Sequence, residues 1–557
     1  MHALPRRDAL ILLAVLGAGV FLAGLELMIT AVALPAIVVD LADWTRLREA
    51  SWIINGYLLV YVVTMPLAGR LADLWGNRRM FLAALVLFTV GSLLAGLAPT
   101  LALLVGARLV QAAGGGILVP VATSAATHLF GGSARPRALG VIGALTFLGM
   151  AAGPFLGAAI LGSFHPEAAL SRLGIPPTSA VAEALAPAWR WVFYVNVPIG
   201  ILALAIAWAA STGWETPRRA GRVDVVGAVV FSLFLLGLLG SLTLLGSRPS
   251  ADGSGLDPAL VSAILATVAV AGLLITIVRG FRVDDPFLDP RLFRSASFSS
   301  ATLVSGLTGY GFATAIVGGA VFVDRVLYGG PDEQRLALGA LAGATAAGAL
   351  LSGFAVRILR LRLVTLIGLG ASIVALVAMA GWTRDTSVEQ AALALAVFGA
   401  GFGLTVTPRS TAAVESVSRE AYGVASSTVT VARMVGMAVG LAILTAYGST
   451  TIDTLYDQVY ATPDAYKAYI PETLRDRPLR DGLVVEALEA WAASEAARIM
   501  VGIFLVAAAV TAAAIPPSLL LDRRRRMLAR AGDEPAAREP GAADADVDGP
   551  HDPAFIA

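Results

Sequence analysis

Long apolar runs alternate along this chain with short polar breaks that carry most of its arginines. Fourteen runs come close to or exceed the roughly 20 residues that a bilayer-crossing helix needs. They cover 10–38, 50–72, 79–97, 101–127, 138–162, 191–211, 223–246, 258–279, 298–328, 335–356, 362–382, 388–408, 421–447 and 496–521. None alternates with a period of two, and all are much longer than a barrel strand. The pattern predicts an all-α polytopic membrane protein with 14 spans. The first run follows Arg6 and Arg7 and is too long for a signal-peptide core, so it reads as a retained anchor.

The breaks set the orientation. Arg78-Arg79, Arg135 with Arg137, Arg218-Arg219 with Arg222, and Arg357 with Arg360 and Arg362 all fall on one side. By the positive-inside rule that side is the cytoplasm. An even number of spans then returns the chain end, with Arg523 to Arg526, to the same side as the N-terminus. Three pieces stand outside the spans. Segment 163–190 is an external loop with Pro166, Pro176, Pro177 and Pro187, and 448–495 is a long external insertion. The tail 527–557, rich in Ala, Asp, Glu, Gly and Pro, is expected to be disordered. Within the insertion Val484, Leu488 and Trp491 recur at helical spacing. Tyr447, Tyr456, Tyr460, Tyr466 and Tyr469 cluster in and beside it. The last two helices are therefore expected to project beyond the membrane. There they would suit a lipid or an external accessory protein, or else close the outer mouth as a lid.

Composition removes most other functions. Charged residues make up 14% of the chain and hydrophobic ones 57%, whereas a soluble chain is about one-quarter charged. The net charge of +1 gives no electrostatic footprint for a nucleic acid. The absence of cysteine excludes disulfides, iron–sulfur clusters and thiolate zinc sites. His2, His128, His165 and His551 are too scattered to form a metal motif, and no metal or cofactor is expected. Lys467 is the only lysine, so no Gly-Lys phosphate loop exists for an ATPase.

An ionisable residue inside a membrane is costly and marks function by default. Glu26 lies near the middle of the first run, Arg108 in the fourth, Arg433 in the thirteenth, and Arg498 near the start of the last. Thr30 lies one turn from Glu26 on the same face. Arg108 is the natural partner for Glu26, a pair that could join in one state and separate in another. Arg433 could attract an anionic group or balance a charge in the second half. Asn55, Tyr57, Gln111 and Tyr310, with Thr30, are expected on the wall of a substrate cavity, where a few polar groups would orient an apolar ligand.

The loop Gly69-Arg-Leu-Ala-Asp73-Leu-Trp-Gly76-Asn77-Arg78-Arg79 joins the second and third runs. Its acid could cap a helix N-terminus and so hold one conformation of a bistable protein. The loop resembles the signature motif of the major facilitator superfamily, G-x-L-A-D-basic-x-G-basic-basic. It keeps Gly69, Asp73, Gly76 and Arg78 and departs at Leu74 and Asn77, which are usually basic. Arg108 to Gln111 resembles the R-x-x-Q-G pattern, with Ala112 in place of the glycine. In the fifth run Gly149, Gly153, Pro154 and Gly157 resemble the antiporter motif G-x-x-x-G-P-x-x-G, whose small residues let helices pack closely. Trp189 to Gly200 resembles the W-R-W-x-F-x-x-N-x-P-x-G string of fourteen-helix drug:proton antiporters. Leu25-Glu26 with Ala33-Leu34-Pro35, Ser51-Trp52 with Tyr57-Leu58-Leu59, and Arg433 with Gly436 and Gly440 resemble further motifs of that family. The start of the chain and its second run also look like a lipid-exporting branch found in mycobacteria.

The resemblance implies a major facilitator fold: six-helix bundles at 1–211 and 298–526, with two extra transmembrane helices and a cytoplasmic linker at 212–297. It implies a proton-coupled exporter of amphiphilic or drug-like compounds in a bacterial inner membrane, and not an enzyme. A lipid exporter of the same fold is the alternative. In another class the alternative is a non-transporting receptor or scaffold. In this reading Glu26, Arg108 and Arg433 are the proton-coupling residues, with Glu26 taking and releasing the proton, and Gly69, Asp73, Gly76 and Arg78 would form the conformational switch.

Overall fold

The computed structural model describes residues 5–41, 50, 52–176, 178–212, 214–218, 224–244, 257–284, 286–459, 462 and 464–522. Ser51, Arg219, Arg222, Tyr460, Arg523 to Arg526 and the tail 527–557, to which expectations were attached above, lie outside the described residues. Each apolar run becomes a helix, giving 14 long enough and apolar enough to cross a membrane. We label them α1 (Arg6–Leu41), α2 (Trp52–Trp75), α3 (Asn77–Leu97), α4 (Leu101–Leu129), α5 (Arg135–Ser163), α6 (Asn196–Ala210) and α7 (Val225–Leu244). The rest are α8 (Pro258–Arg282), α9 (Ala296–Arg325), α10 (Pro331–Ile358), α11 (Leu361–Met379), α12 (Val388–Glu415), α13 (Tyr422–Val459) and α14 (Gly482–Ala512). No strand occurs among the described residues.

Helices α1 to α6 pack on one another, with α1 against α5 and α4 against both α2 and α3. A second group forms from α9 to α14, with α12 between α10 and α11 and α9 between α13 and α14. The halves meet along two seams, α5 on α10 and α2 on α13. Helices α7 and α8 pack mainly on each other, and α7 touches α2 and α13. Helix α8 turns Leu260, Ile264, Val270, Leu274 and Ile275 outward, which is stable only in hydrocarbon. The chain is thus two six-helix bundles plus two extra helices.

One ion pair fixes the extra helices at the end next to the linker. Asp224, just before α7, accepts a bidentate pair from Arg279 of α8 at 2.7 and 3.0 Å. It also accepts the backbone N–H groups of Gly227 and Phe287 at 2.9 and 3.3 Å. Burial raises the Asp224 carboxyl pKa, but the Arg279 hydrogen bond and the two amides outweigh it and hold it below the ordinary aspartate value. Its contribution to stability is therefore complete above that ordinary value and is lost as pH falls through the lowered one. Asp224→Asn is expected to destabilise the α7–α8 attachment by about 1.5–3 kcal/mol. In melting curves of the detergent-solubilised protein, the gap between variant and wild type should close only on acidification below the ordinary aspartate range.

Helices α13 and α14 outrun any bilayer. At 1.5 Å per residue, 38-residue α13 is about 57 Å long. Helix α14 starts at Gly482, well before the apolar run at 496. Beyond the membrane Val459, Tyr466, Ile470 and Val484 form a small core, with Leu488 and Trp491 against it. The Tyr469 and Trp491 rings lie 4.6 Å apart, and the Tyr466 hydroxyl donates to the Arg477 carbonyl at 3.0 Å. Tyr328, between α9 and α10, donates to the Glu489 carbonyl at 2.9 Å and ties this module to the second half.

Candidate functional site

The inside of the first half holds a polar knot. Glu26 of α1 is completely buried. One carboxylate oxygen accepts Arg108 Nη1 and, at 2.9 Å, the Thr30 hydroxyl. The other accepts Asn196 Nδ2 of α6 at 2.6 Å. Arg108 Nη1 also donates to Gln111 Oε1 at 2.7 Å. Gln111 and Asn196 both donate to the Ser92 hydroxyl of α3, at 3.0 and 3.2 Å, and Ser92 donates to the Phe193 carbonyl at 2.9 Å. The Arg108 guanidinium carbon lies over Tyr57, 4.0 Å from the ring centroid. Five helices, α1, α2, α3, α4 and α6, therefore converge on one ion pair. A charge in a medium this poor in water is stable only with such a complete set of partners.

The string before α6 positions this knot. Trp189 Nε1 donates to Asp40 at 2.9 Å, pinning the end of α1. Arg190 Nη1 donates to the carbonyls of Gly96 and Ala98 at 2.7 and 2.8 Å. A cation there satisfies the orphan carbonyls at the end of α3.

A different face of α1 meets an apolar cavity. Gly149 and Gly153 of α5 lie directly on α1. A Cβ at Gly153 would stand 2.8 Å from the Leu25 carbonyl, so no side chain fits. Next to this contact, Met28 and Val32 of α1, Phe147, Met150 and Pro154 of α5, Phe312 of α9 and Leu341 of α10 line an apolar cavity of about 280 Å³. Gln334 and Arg335 of α10 sit at its rim. Phe147 and Phe312 form its aromatic floor, and Phe402 packs behind them, with the three ring centroids 4.3 to 5.4 Å apart.

Toward the end of the bundle marked by the Asp73 loop, the halves are closed. Asp73 Oδ1 accepts the Gly423 amide at 2.7 Å and Oδ2 accepts the Val424 amide at 2.9 Å. The carboxylate thus caps the N-terminus of α13 in the opposite half. Gly69 packs against Gly423 and Ser427, where a Cβ would stand 2.7 Å from Ser427 Cβ. Gly76 takes φ 90° at the α2–α3 turn, and Arg78 Nε donates to Ser211 at 3.0 Å beyond α6. Asn77 is buried, with its amide N–H on Thr216 at 3.1 Å. A basic side chain, usual in this motif, would be enclosed there.

The structure brings Glu26, Thr30, Arg108 and Gln111 together and leaves Arg433 apart, in the second half. None of Thr30, Asn55, Tyr57, Gln111 and Tyr310 lines the cavity just described. Thr30, Tyr57 and Gln111 are enclosed in the knot, Asn55 is exposed on the outside of α2, and Tyr310 is buried against Gly440. The cavity is lined instead by methionines and phenylalanines that look in sequence like ordinary core. Sequence reasoning gave no role to Asn196, although it stands in the quoted string. It missed Ser92 entirely. It also missed Arg409, because ending the twelfth span at Pro408 left this residue in a loop. Helix α12 continues through the proline to Glu415, and Arg409 is buried at 1% exposure.

Comparison with known proteins agrees with this geometry. A family profile described as Major Facilitator Superfamily matches residues 16–441. The chain is 30% identical to a triacylglyceride transporter of Mycolicibacterium hassiacum, over 75% of this chain and 76% of the relative. It is 27% identical to a multidrug resistance protein B homolog of Mycobacterium tuberculosis, over 71% of this chain and 68% of the relative. Among solved structures, a bacterial homolog of the human lysosomal transporter Spinster superposes with a TM-score of 0.53 at 18% identity, covering 92% of this chain and 97% of that one. The fucose:proton symporter FucP in its outward conformation gives 0.52 at 13% identity, covering 91% and 99%. These structural likenesses concern the fold alone. With its two six-helix halves, paired seams and Asp73 clamp, this chain belongs to the major facilitator superfamily of membrane transporters.

Proposed function

We propose that the protein is a proton-driven exporter of amphiphilic or drug-like molecules, set in a bacterial inner membrane with both chain ends in the cytoplasm. Residues 1–211 and 298–526 are its moving halves, and 212–297 is the added helix pair and linker. The observation that carries this reading is the position of Glu26. It is sealed in a knot with Arg108 and Asn196, yet it shares α1 with Met28 and Val32 of the apolar cavity. A shift of α1 that reshapes the cavity also loosens the knot, and a proton that neutralises Glu26 frees α1 to shift. Relatives named for multidrug resistance and transport support drug-like cargo. The test is the full chain in sealed vesicles with a lipophilic dye and an imposed pH gradient. Dye movement should accelerate with the gradient; equal rates with and without it, or acceleration by sodium instead, would overturn proton coupling.

A second reading, lipid export, is favoured by the relative named a triacylglyceride transporter and by the aromatic module beyond the membrane. That module would hand lipid to the outer face or to an accessory protein. Replacing residues 464–481 with a Gly/Ser linker of equal length is expected to cut vesicle-to-vesicle triacylglycerol transfer by about tenfold, the loss of some 1.4 kcal/mol of interaction. Dye efflux should survive. Equal loss of both activities would make the module a general lid.

A further inference from the structure

Among the described residues, two buried arginines of the second half have no acid partner. Arg409 of α12 donates through Nη1 to the Thr308 hydroxyl at 2.6 Å and lies 5.1 Å over the Phe402 ring, while its Nη2 is buried without a hydrogen-bond partner. Arg433 of α13 lies 5.5 Å over the Phe147 ring, and its Nε is likewise buried and unpartnered. Neither makes an ion pair among the described residues. The buried acids of the spans are engaged elsewhere: Glu26 in the knot and Asp73 on α13. Removing two guanidinium groups from water without a counter-charge is expensive, and ring faces and one hydroxyl offset it only in part.

Their surroundings point to the missing partner. Phe147 and Phe402 meet edge-on at 5.4 Å, so Arg433 stands on a ring of the apolar cavity's floor and Arg409 on the ring packed directly behind it. Arg433 also lines a second, smaller chamber of about 40 Å³ between the halves, with the hydroxyls of Thr123, Thr146, Ser410, Ser426 and Thr430. This chamber lies between the floor and the Asp73 clamp, and all of its walls come from the two halves that part when the clamp opens. In the closed state it has room for a water or two; parting of the halves would widen it. A planar guanidinium with free N–H groups matches the oxygens of a phosphate, sulfate or carboxylate.

We infer that Arg433, with Arg409 behind it, receives the anionic headgroup of an amphiphilic substrate, entering from the clamp side, while its tail passes Phe147 and Phe312 into the apolar cavity. This rests on the export reading and singles out anionic amphiphiles as the cargo held by a headgroup anchor. Neutral drugs and glycerides would use the apolar cavity without this anchor.

The test uses the full chain in nanodiscs, with octyl phosphate as probe and octyl glucoside as its uncharged match. Octyl phosphate should bind at least about tenfold more tightly, the worth of one charge-assisted hydrogen bond. Arg433→Gln should bring the ratio near one, while Arg433→Lys should keep part of it. Arg409→Gln should act in the same direction; if that variant does not fold, the Arg433 pair alone decides. Equal binding of the two probes by the wild type, or an undiminished preference in Arg433→Gln, would overturn the inference. Gradient-driven export of an uncharged dye by the wild type separates the two claims. With dye export and no headgroup preference, only this inference falls; with no export of any probe, the transport reading falls.

Discussion

Glu26→Gln is expected to reduce gradient-driven export to the leak rate of empty vesicles while substrate still binds. The carboxylate is the only acid in a knot otherwise built from amides, hydroxyls and Arg108, so the variant has nothing left to protonate. The same change leaves Arg108 buried without its counter-ion, which costs about 3–5 kcal/mol. The melting temperature should therefore fall together with activity, and loss of activity alone would not prove a proton role. The double variant Glu26→Gln/Arg108→Gln separates the two effects. With both charges gone the desolvation penalty disappears, and the melting temperature should return most of the way to wild type. Export should not return. Recovery of export by the double variant would show that the pair only holds α1, α4 and α6 together.

Asp73→Asn should shift the resting population toward the state open on the clamp side. The native carboxylate accepts two amides of α13 from the opposite half, and its charge complements the helix dipole. The amide keeps one acceptor, loses the charge and turns a donor toward an N–H. A loss of about 1–2 kcal/mol is expected, which changes the population ratio about 5- to 30-fold. The chain has no cysteine, so a single Ala425→Cys, at a position fully buried beside the clamp, reports opening without background. Its labelling by a maleimide should rise by that factor in the Asp73→Asn variant, while substrate affinity at the apolar cavity changes little. Gly423→Ala should act in the same direction, because the added Cβ would lie 2.9 Å from Asp73 Cγ. Unchanged labelling in both variants would remove the clamp from the transport cycle.

The parts of this fold legible in sequence are those that depend on short stretches of chain. A bilayer forces every span to satisfy its own backbone, so all 14 spans could be counted from apolar runs, and arginine breaks separated their ends. The Asp73 loop was legible as a cap because an acid flanked by glycines has few other uses, but its recipient, α13, lies 350 residues away. The Glu26–Arg108 pair followed from the high cost of charge in hydrocarbon. The site failed to show where the deciding relation was rotational. Gln111 is three residues from Arg108 and so shares its helix face; that spacing placed it inside the knot rather than on a cavity wall. Asn196 bonds to a carboxylate 170 residues away, and no local pattern encodes that distance. Arg409 was lost to a boundary error, since a proline inside a membrane helix bends it without ending it.

One helix links the clamp to the outer module without a break. Helix α13 begins at the residues that Asp73 holds, carries Arg433 past the aromatic floor, and ends at Val459 in the small core beyond the membrane. A stiff rod about 57 Å long, tilted by about 5° at its base, sweeps its far tip through about 5 Å. In the proposed cycle, release of the carboxylate at one end of this helix would therefore be felt as a lever stroke on the small core at its other end.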